Sequence, residues 1–268
     1  MARYLRIGWC FARNGLVREM SFRANFLLNA ASEMLWLAMM LIFVKVIFTH
    51  TKGIVGWNGY QYTFLLGTHF IVTAIFEAMF FSNMMRLSEY VRNGNLDFVL
   101  LKPASTQFLI SFERVEYASL PNLPLGVGMC IYAAAKLGLH PSVGQVGLFI
   151  GLIVCGVVIL YALMFMFAAS SVWMVRMTSA DHFWFYVTSC ARYPAEIFRP
   201  LARGTFYFAL TFVLPVLLVA NLPASALVEQ GIFRPWLGVY AALAAVVLLI
   251  LSSVVFKFAL RSYRSASS

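Results

Sequence analysis

Charge is scarce in this chain. Of 268 residues only 11% are Asp, Glu, Lys or Arg, while 62% are hydrophobic; an ordinary soluble domain carries about 25% charged residues and roughly 45–50% apolar ones. So few charges exclude a water-soluble globular domain. In its place several uncharged runs of about twenty residues recur, the length a helix needs to cross roughly 30 Å of hydrocarbon at 1.5 Å per residue. Acidic residues are scarcer still, ten against twenty basic ones, which leaves a net charge of +10. The lysines and arginines sit between the apolar runs, so the excess reads as positive-inside topology and not as a nucleic-acid surface.

Cysteine is limited to Cys10, Cys130, Cys155 and Cys190, none in CxxC or metal-ligand spacing, which removes a disulfide framework and a zinc site. A phosphate loop of the form GxxxxGK[ST] is missing, as are HExxH, GxSxG and any close carboxylate pair within a span. No catalytic residue is expected, and the chain by itself has no P-loop means of hydrolysing ATP. The first long apolar run starts only near Asn25 and continues for more than twenty residues. It begins too late and runs too long for a cleavable signal peptide, and is expected to remain as an anchor.

Residues 1–24 carry Arg3, Arg6, Arg13, Arg18 and Arg23. At 100° per residue Leu5, Trp9, Ala12 and Leu16 share one stripe, while Arg3, Arg6, Arg13 and Asn14 gather opposite. The pattern predicts an amphipathic N-terminal helix on the membrane surface, with Trp9 at headgroup level and arginines toward anionic lipid. Residues 25–268 then form the transmembrane domain. Its spans are expected at about Asn25–Phe48, Tyr60–Ser82, Tyr117–Leu137, Val143–Val175, Gly204–Asn221 and Trp236–Phe256. Pro121, Pro124, Gly126 and Gly128 crowd the first half of span three and predict a kink or interruption. Span four is longer than one crossing demands and holds Gly147 and Gly151 at GxxxG spacing, which permits close helix contact. Pro215 bends span five, and the largely apolar link Leu222–Pro235 is expected to dip back into the membrane. The fold class is thus an all-α membrane protein with six transmembrane helices.

With the N-terminus inside, only Lys45, Lys52, Lys136 and Arg234 fall at the outer side, and sixteen of the twenty basic residues lie inside. That asymmetry predicts cytoplasmic termini and an even number of spans.

Two groups of residues could carry function. Glu33 lies in span one, and His69 and Glu77 in span two. An ionisable group at mid-bilayer costs about 2.5–3.5 kcal/mol on insertion scales, so such residues face a cavity or a partner. They could form an ion relay in a secondary transporter or channel, or simply pair with neighbouring helices. The second group lies in the polar stretch 83–116. Its first part, with Arg86, Glu89 and Arg92, continues span two to Gly94, which suits a left-handed cap. Asn95 could then cap a short amphipathic helix with Leu96, Asp97, Phe98, Val99, Leu100 and Leu101, followed by Lys102 and stopped by Pro103. Such a helix is either a handle that docks in a partner's groove or a segment resting on lipid.

The stretch Val91-Arg-Asn-Gly-Asn-Leu-Asp-Phe-Val-Leu-Leu-Lys-Pro-Ala-Ser-Thr-Gln-Phe108 resembles the cytoplasmic signature of the ABC-2 family of bacterial ABC transporter permeases. The run from Arg192 to Ala224 is similar to the fifth-span region of that family, with a Tyr-Pro pair, an Arg, a Pro-containing helix and a final Pro-Ala; here Arg199 separates Phe198 from Pro200. The resemblance implies a permease subunit in the bacterial cytoplasmic (inner) membrane, with a coupling helix between spans two and three and a partly re-entrant external link between spans five and six. It further implies ABC ATPase subunits and a second permease subunit as partners, and export as the direction. ATP and Mg would be bound by the partner ATPase and no cofactor by this chain. On that view residues 86–103 couple to the ATPase. Glu33, His69, Glu77 and Pro215 are candidates for the path, which spans one, two and five would line, and aromatic residues suit lipids or amphiphiles as cargo and as surroundings.

Overall fold

The computed structural model describes residues 2–21, 23–51, 53–173 and 180–263. Lys52, Arg176 and Arg264, and the end of span four at Val175, lie outside the described residues, as do the side chains of Leu5, Arg18, Arg23 and Asp181. Twelve α-helices are described: α1 Ala2–Ser21, α2 Arg23–His50, α3 Gly59–Phe76, α4 Ser82–Arg92, α5 Leu96–Leu100, α6 Thr106–Phe112, α7 Asn122–Leu137, α8 Val143–Ala169, α9 Ala180–Ala191, α10 Thr205–Phe208, α11 Val216–Val228 and α12 Pro235–Ser262. Among the described residues there is no strand.

Local chemistry sets the helix boundaries. Asn58 and Gln61 exchange side-chain bonds with each other's backbone at the start of α3, and Ser142 and Gln145 do the same for α8, so orphan amides at both ends are satisfied. Pro235 opens α12 in its first turn, and Gly138 ends α7 at φ +66°. Gly94 ends α4 at φ +72°, as its place in the sequence predicts. A π-helical turn, Glu77–Phe81, joins α3 to α4 into one apolar helix of 34 residues. Span three is interrupted where the prolines require it: a 3₁₀ turn at Tyr117–Ser119 is followed by α7, with Pro121 as cap and Pro124 in the first turn. The missing donors therefore fall where no intrahelical bond is due.

Among the described residues five helices are long and apolar enough to cross a membrane: Ala30–His50, Gly59–Arg92, Tyr117–Leu137, Val143–Val172 and Pro235–Ser262. The sixth crossing differs from the sequence expectation. Gly204–Asn221 is not one helix; Leu201–Val213 and Val216–Val228 are bent by 85° at Leu214–Pro215. Neighbouring side chains show where this pair goes. Trp57, fully buried in the loop after α2, donates its Nε1 to Glu196 Oε2 at 3.1 Å, and a Cβ on Gly231 would stand 2.6 Å from the same indole. Segment 197–230 thus leaves and returns to one end of the bundle. Between those feet, Val219 lies against Gly156, about 20 Å in from Val143 at 1.5 Å per residue. The pair is re-entrant.

The crossing itself is made by α9 and the extended residues after it. Trp184 stacks on Phe76 at 4.7 Å and touches Phe81 at 5.2 Å, near the far end of α3, while Glu196 already reaches Trp57. The apolar run that resembled span five is therefore a re-entrant loop, whose second arm, Val216–Val228, is buried in protein while its first arm exposes Phe206, Phe208 and Val213; the helix of the second arm leaves only 229–234 as the link to α12. Residues 222–228 do not form a separate excursion.

Asn221 ties the two parts together. Its side chain is fully buried, accepts from Ala195 N at 2.9 Å and donates to the Ala191 and Tyr193 carbonyls at 3.2 and 3.1 Å. Those three groups end α9 in the middle of the bundle, where water cannot replace a lost bond. Asn221→Leu is expected to cost about 3 kcal/mol or more, since unpaired buried polar groups cost roughly 1–3 kcal/mol each. A fall of the thermal midpoint of the detergent-solubilised protein by several degrees checks it, with Asn221→Gln nearer to the parent.

Helix α3 is the axis of the bundle, buried among α7, α8 and α11. Gly67 and Gly126 face each other across α3 and α7: a Cβ on either would stand 2.8 Å from the other's carbonyl oxygen. Gly156 meets the Val219 carbonyl at 2.6 Å in the same sense. Gly147 and Gly151, the GxxxG pair, have nothing within 4 Å of an added Cβ and make no close contact within the chain. Helix α2 is held loosely at the periphery and exposes Leu27, Leu28, Met34, Leu35, Met39 and Ile42.

Helix α1 uses three faces. Tyr4, Phe11, Ala12, Gly15 and Glu19 pack on the connection between α6 and α7: the Tyr4 ring meets Phe108 at 4.9 Å, Tyr117 OH donates to the Ala12 carbonyl at 2.9 Å, and Tyr117 N donates to Glu19 Oε1 at 2.7 Å. Trp9, Leu16 and Met20 stay exposed on the adjacent stripe, and Arg3, Arg6 and Arg13 are exposed beyond it.

Candidate substrate cavity and coupling surface

A cavity of about 350 Å³ lies between α2, α3 and α9, closed at one side by the start of α7. It collects Glu33 and Trp36 from α2, His69, Phe70 and Thr73 from α3, Glu77 from the π turn, Asn122 from α7, and Trp184, Phe185, Thr188 and Arg192 from α9 and its end. Helical spacing explains the convergence. Positions 69, 73 and 77 recur every four residues on one face, and 184, 188 and 192 do so on another. Glu77 opens the π turn, and inserted π turns are frequent at functional sites.

Asn122 Nδ2 donates to Glu33 Oε2 at 3.0 Å, fixing that carboxylate. His69 is only 6% exposed, and its Nδ1 has no hydrogen-bond partner among the described residues; Arg192 Nε and Asn122 Oδ1 are likewise buried without one. A polar pocket with unmatched hydrogen-bonding groups inside an apolar bundle is prepared for something that enters it. Sequence reasoning placed Glu33, His69 and Glu77 in the membrane, and the fold brings them together. Pro215 is not with them: it sits at the apex of the re-entrant pair. Arg192, Asn122 and Thr188 were missed. Arg192 reads as interfacial in sequence, and only the four-residue spacing from Trp184 hints that it shares a face with the cavity.

At one end of the bundle, segment 93–105 forms the second candidate surface. Leu96 is fully buried and Val99 nearly so, whereas Phe98 is 69% and Leu101 81% exposed. Helix α5 is thus anchored by Leu96 and Val99 and presents Phe98, Leu100 and Leu101 outward. Asn95 does not cap it, for its backbone is already helical and its side chain makes no capping bond; the turn at Gly94 starts the helix instead, with Asp97 N donating to the Gly94 carbonyl. Glu89, Arg92, Lys102 and Pro103 are exposed around it.

The base of this surface is braced. Arg86 pairs with Glu113 at 3.3 Å and lies over the Tyr90 ring at 4.9 Å, so it is a strut and not a free contact. Asn83 donates to the Arg114 carbonyl at 2.7 Å and accepts from Arg114 N at 2.9 Å, and the Ser82 hydroxyl donates to Glu116. Ser105 N donates to Tyr4 OH at 3.3 Å, which brings α1 to the same platform. Tyr263, just past α12, faces Asp97: burial first and that carboxylate second push its phenol up from the ordinary value. Displacement of α5 would therefore be felt by α4, α6, α1 and the end of α12.

The model of one protein family, described as ABC-2 family transporter protein, matches residues 34–267. No curated protein matches the chain, and no solved structure does. The matched region contains α2 from Met34 onward, the cavity lining other than Ser32 and Glu33, the platform around α5 and the re-entrant pair. The chain is a multi-pass membrane protein and belongs to the ABC-2 family of transporter proteins.

Proposed function

We propose that this permease is driven by a separate ATPase that docks on α5, and that it exports its cargo across the bacterial cytoplasmic membrane. The observation that carries the reading is the outward pair Phe98 and Leu101 on a short helix whose other face is anchored and whose base is braced. An exposed apolar pair of this kind suits a groove in a partner, and its rigid mounting suits the transfer of a push. In the fold Arg199 and Arg203 stand with the re-entrant segment at the end of the bundle that holds Trp57, and Arg192 lies within the bundle, so thirteen of the twenty basic residues remain on the inner side; that smaller asymmetry supports placing α5 and both termini in the cytoplasm. Two ATPase subunits, binding ATP and Mg, would act on two permease subunits, identical or paralogous, with the path for cargo near α2, α3 and α9. Helix α1 and residues 25–268 act as surface anchor and transmembrane domain, with membrane lipid around both.

Mild-detergent purification of the tagged chain from its native membrane tests this: a Mg-dependent ATPase should co-elute in stoichiometric amount, and flux in proteoliposomes should require it. A second reading is favoured by the shared cavity of Glu33, His69 and Glu77: an ion-coupled secondary transporter or channel. It predicts flux by the purified chain alone under an ion gradient.

A further inference from the structure

Taking the permease reading as given, we infer that the cavity between α2, α3 and α9 is the cargo site and that the cargo is a monovalent, bulky organic cation. Glu33, Glu77 and Arg192 are its charged lining, so with both carboxyls ionised it carries one negative charge, the state that a bound cation itself favours. In a low-dielectric bundle that imbalance selects a single positive charge and rejects an anion. Trp36, Phe70, Trp184 and Phe185 are among its lining, aromatic side chains of the type that attracts a cation and sheds water around it. At about 350 Å³ the space is far larger than an inorganic ion and falls in the range of small organic ligands.

Two further features point to an occupant. His69 Nδ1 is buried, lines the cavity and has no partner among the described residues. Glu33 is held by Asn122 through one oxygen, and among the described residues no Lys or Arg pairs with it. A polar lining interleaved with aromatic side chains suits a charged centre carrying rings or alkyl groups.

The test is equilibrium binding of tetraphenylphosphonium to the full chain in maltoside micelles, with tetraphenylborate as a probe of the same shape and opposite charge. Saturable binding of the cation, at least about tenfold tighter than the anion, is expected. Glu77→Gln should weaken it by about tenfold or more, as loss of a charged partner does, while Arg192→Gln should tighten it. A merely structural role would move both variants in one direction, and each variant must elute as the parent does. Equal binding of the borate, or a common sign for the two variants, overturns the proposal. So does displacement by dodecylphosphocholine at concentrations as low as those of a monocationic amphiphile, which would make the cavity a lipid-headgroup site. Binding in micelles needs no ATPase, so a chain that binds the cation but recruits no ATPase would fail the permease drive alone, and the reverse result would fail the cargo class alone.

Discussion

The double substitution Phe98→Asp with Leu101→Asp is expected to abolish coupling, lowering cargo-stimulated ATPase activity of the reconstituted complex by about tenfold or more. Both side chains project from α5 with most of their surface free, so an aspartate at either position costs the permease little by itself. In a docked complex the same change removes two apolar anchors and buries charge, and well-packed interface anchors are worth about 2 kcal/mol or more each. Membrane insertion and the gel-filtration profile should match the parent. Leu96→Asp must behave differently. Leu96 is fully buried beneath α5 with Leu87, Val91 and Val99 in the same core, so an unpaired carboxylate there should lower the yield of folded protein instead of uncoupling it. A Leu96→Asp, Leu100→Asp pair would confuse the two effects.

Gly67→Val should leave no folded permease, and Gly147→Val should leave it unchanged. At Gly67 a new Cβ meets the Gly126 carbonyl oxygen and the Cys130 sulfur at 2.8 Å and Met129 Cβ at 3.0 Å. Neither neighbouring backbone can yield without separating α3 from α7, the most extensive helix pair in the molecule. Overpacking in a tight core costs typically 1–3 kcal/mol, and more where backbone blocks the way. Gly147 meets nothing, and the exposed face around it carries Val143, Val146, Leu148 and Ile150. Yield of monodisperse protein from membranes checks both. Loss at Gly147 with tolerance at Gly67 would reverse the assignment of close helix contacts.

Five of the six crossings were legible because hydropathy reports residence in an apolar medium, and long runs can find that only in lipid. The sixth was not, for the same reason. Residues 204–221 are as apolar as a span, but the part from Val216 on is surrounded by protein, and an apolar count cannot tell α3 and α8 from acyl chains. The clues that distinguish them are polar: Asn221 in the run, and Pro215 and Pro223 flanking it. The true crossing carries Trp184, Thr188 and Arg192, whose polarity is explained by the cavity they face. Similarly, α5 has five residues, too few for a period to be read, so its buried face and its presented face were not separable, and Leu96 and Leu101 read alike. Glu33, His69 and Glu77 stood out because charge is so rare here, whereas Arg192 was masked by the several arginines near it.

Cross-linking from α5 tests the central claim most directly. With Leu101→Cys in a chain whose four native cysteines are replaced, a short thiol-to-amine reagent applied to native membranes should join the permease to the ATPase, giving one adduct that cosediments with nucleotide-hydrolysing activity. Modification of that cysteine by an impermeant maleimide added to intact cells would put α5 on the outer face and contradict the account.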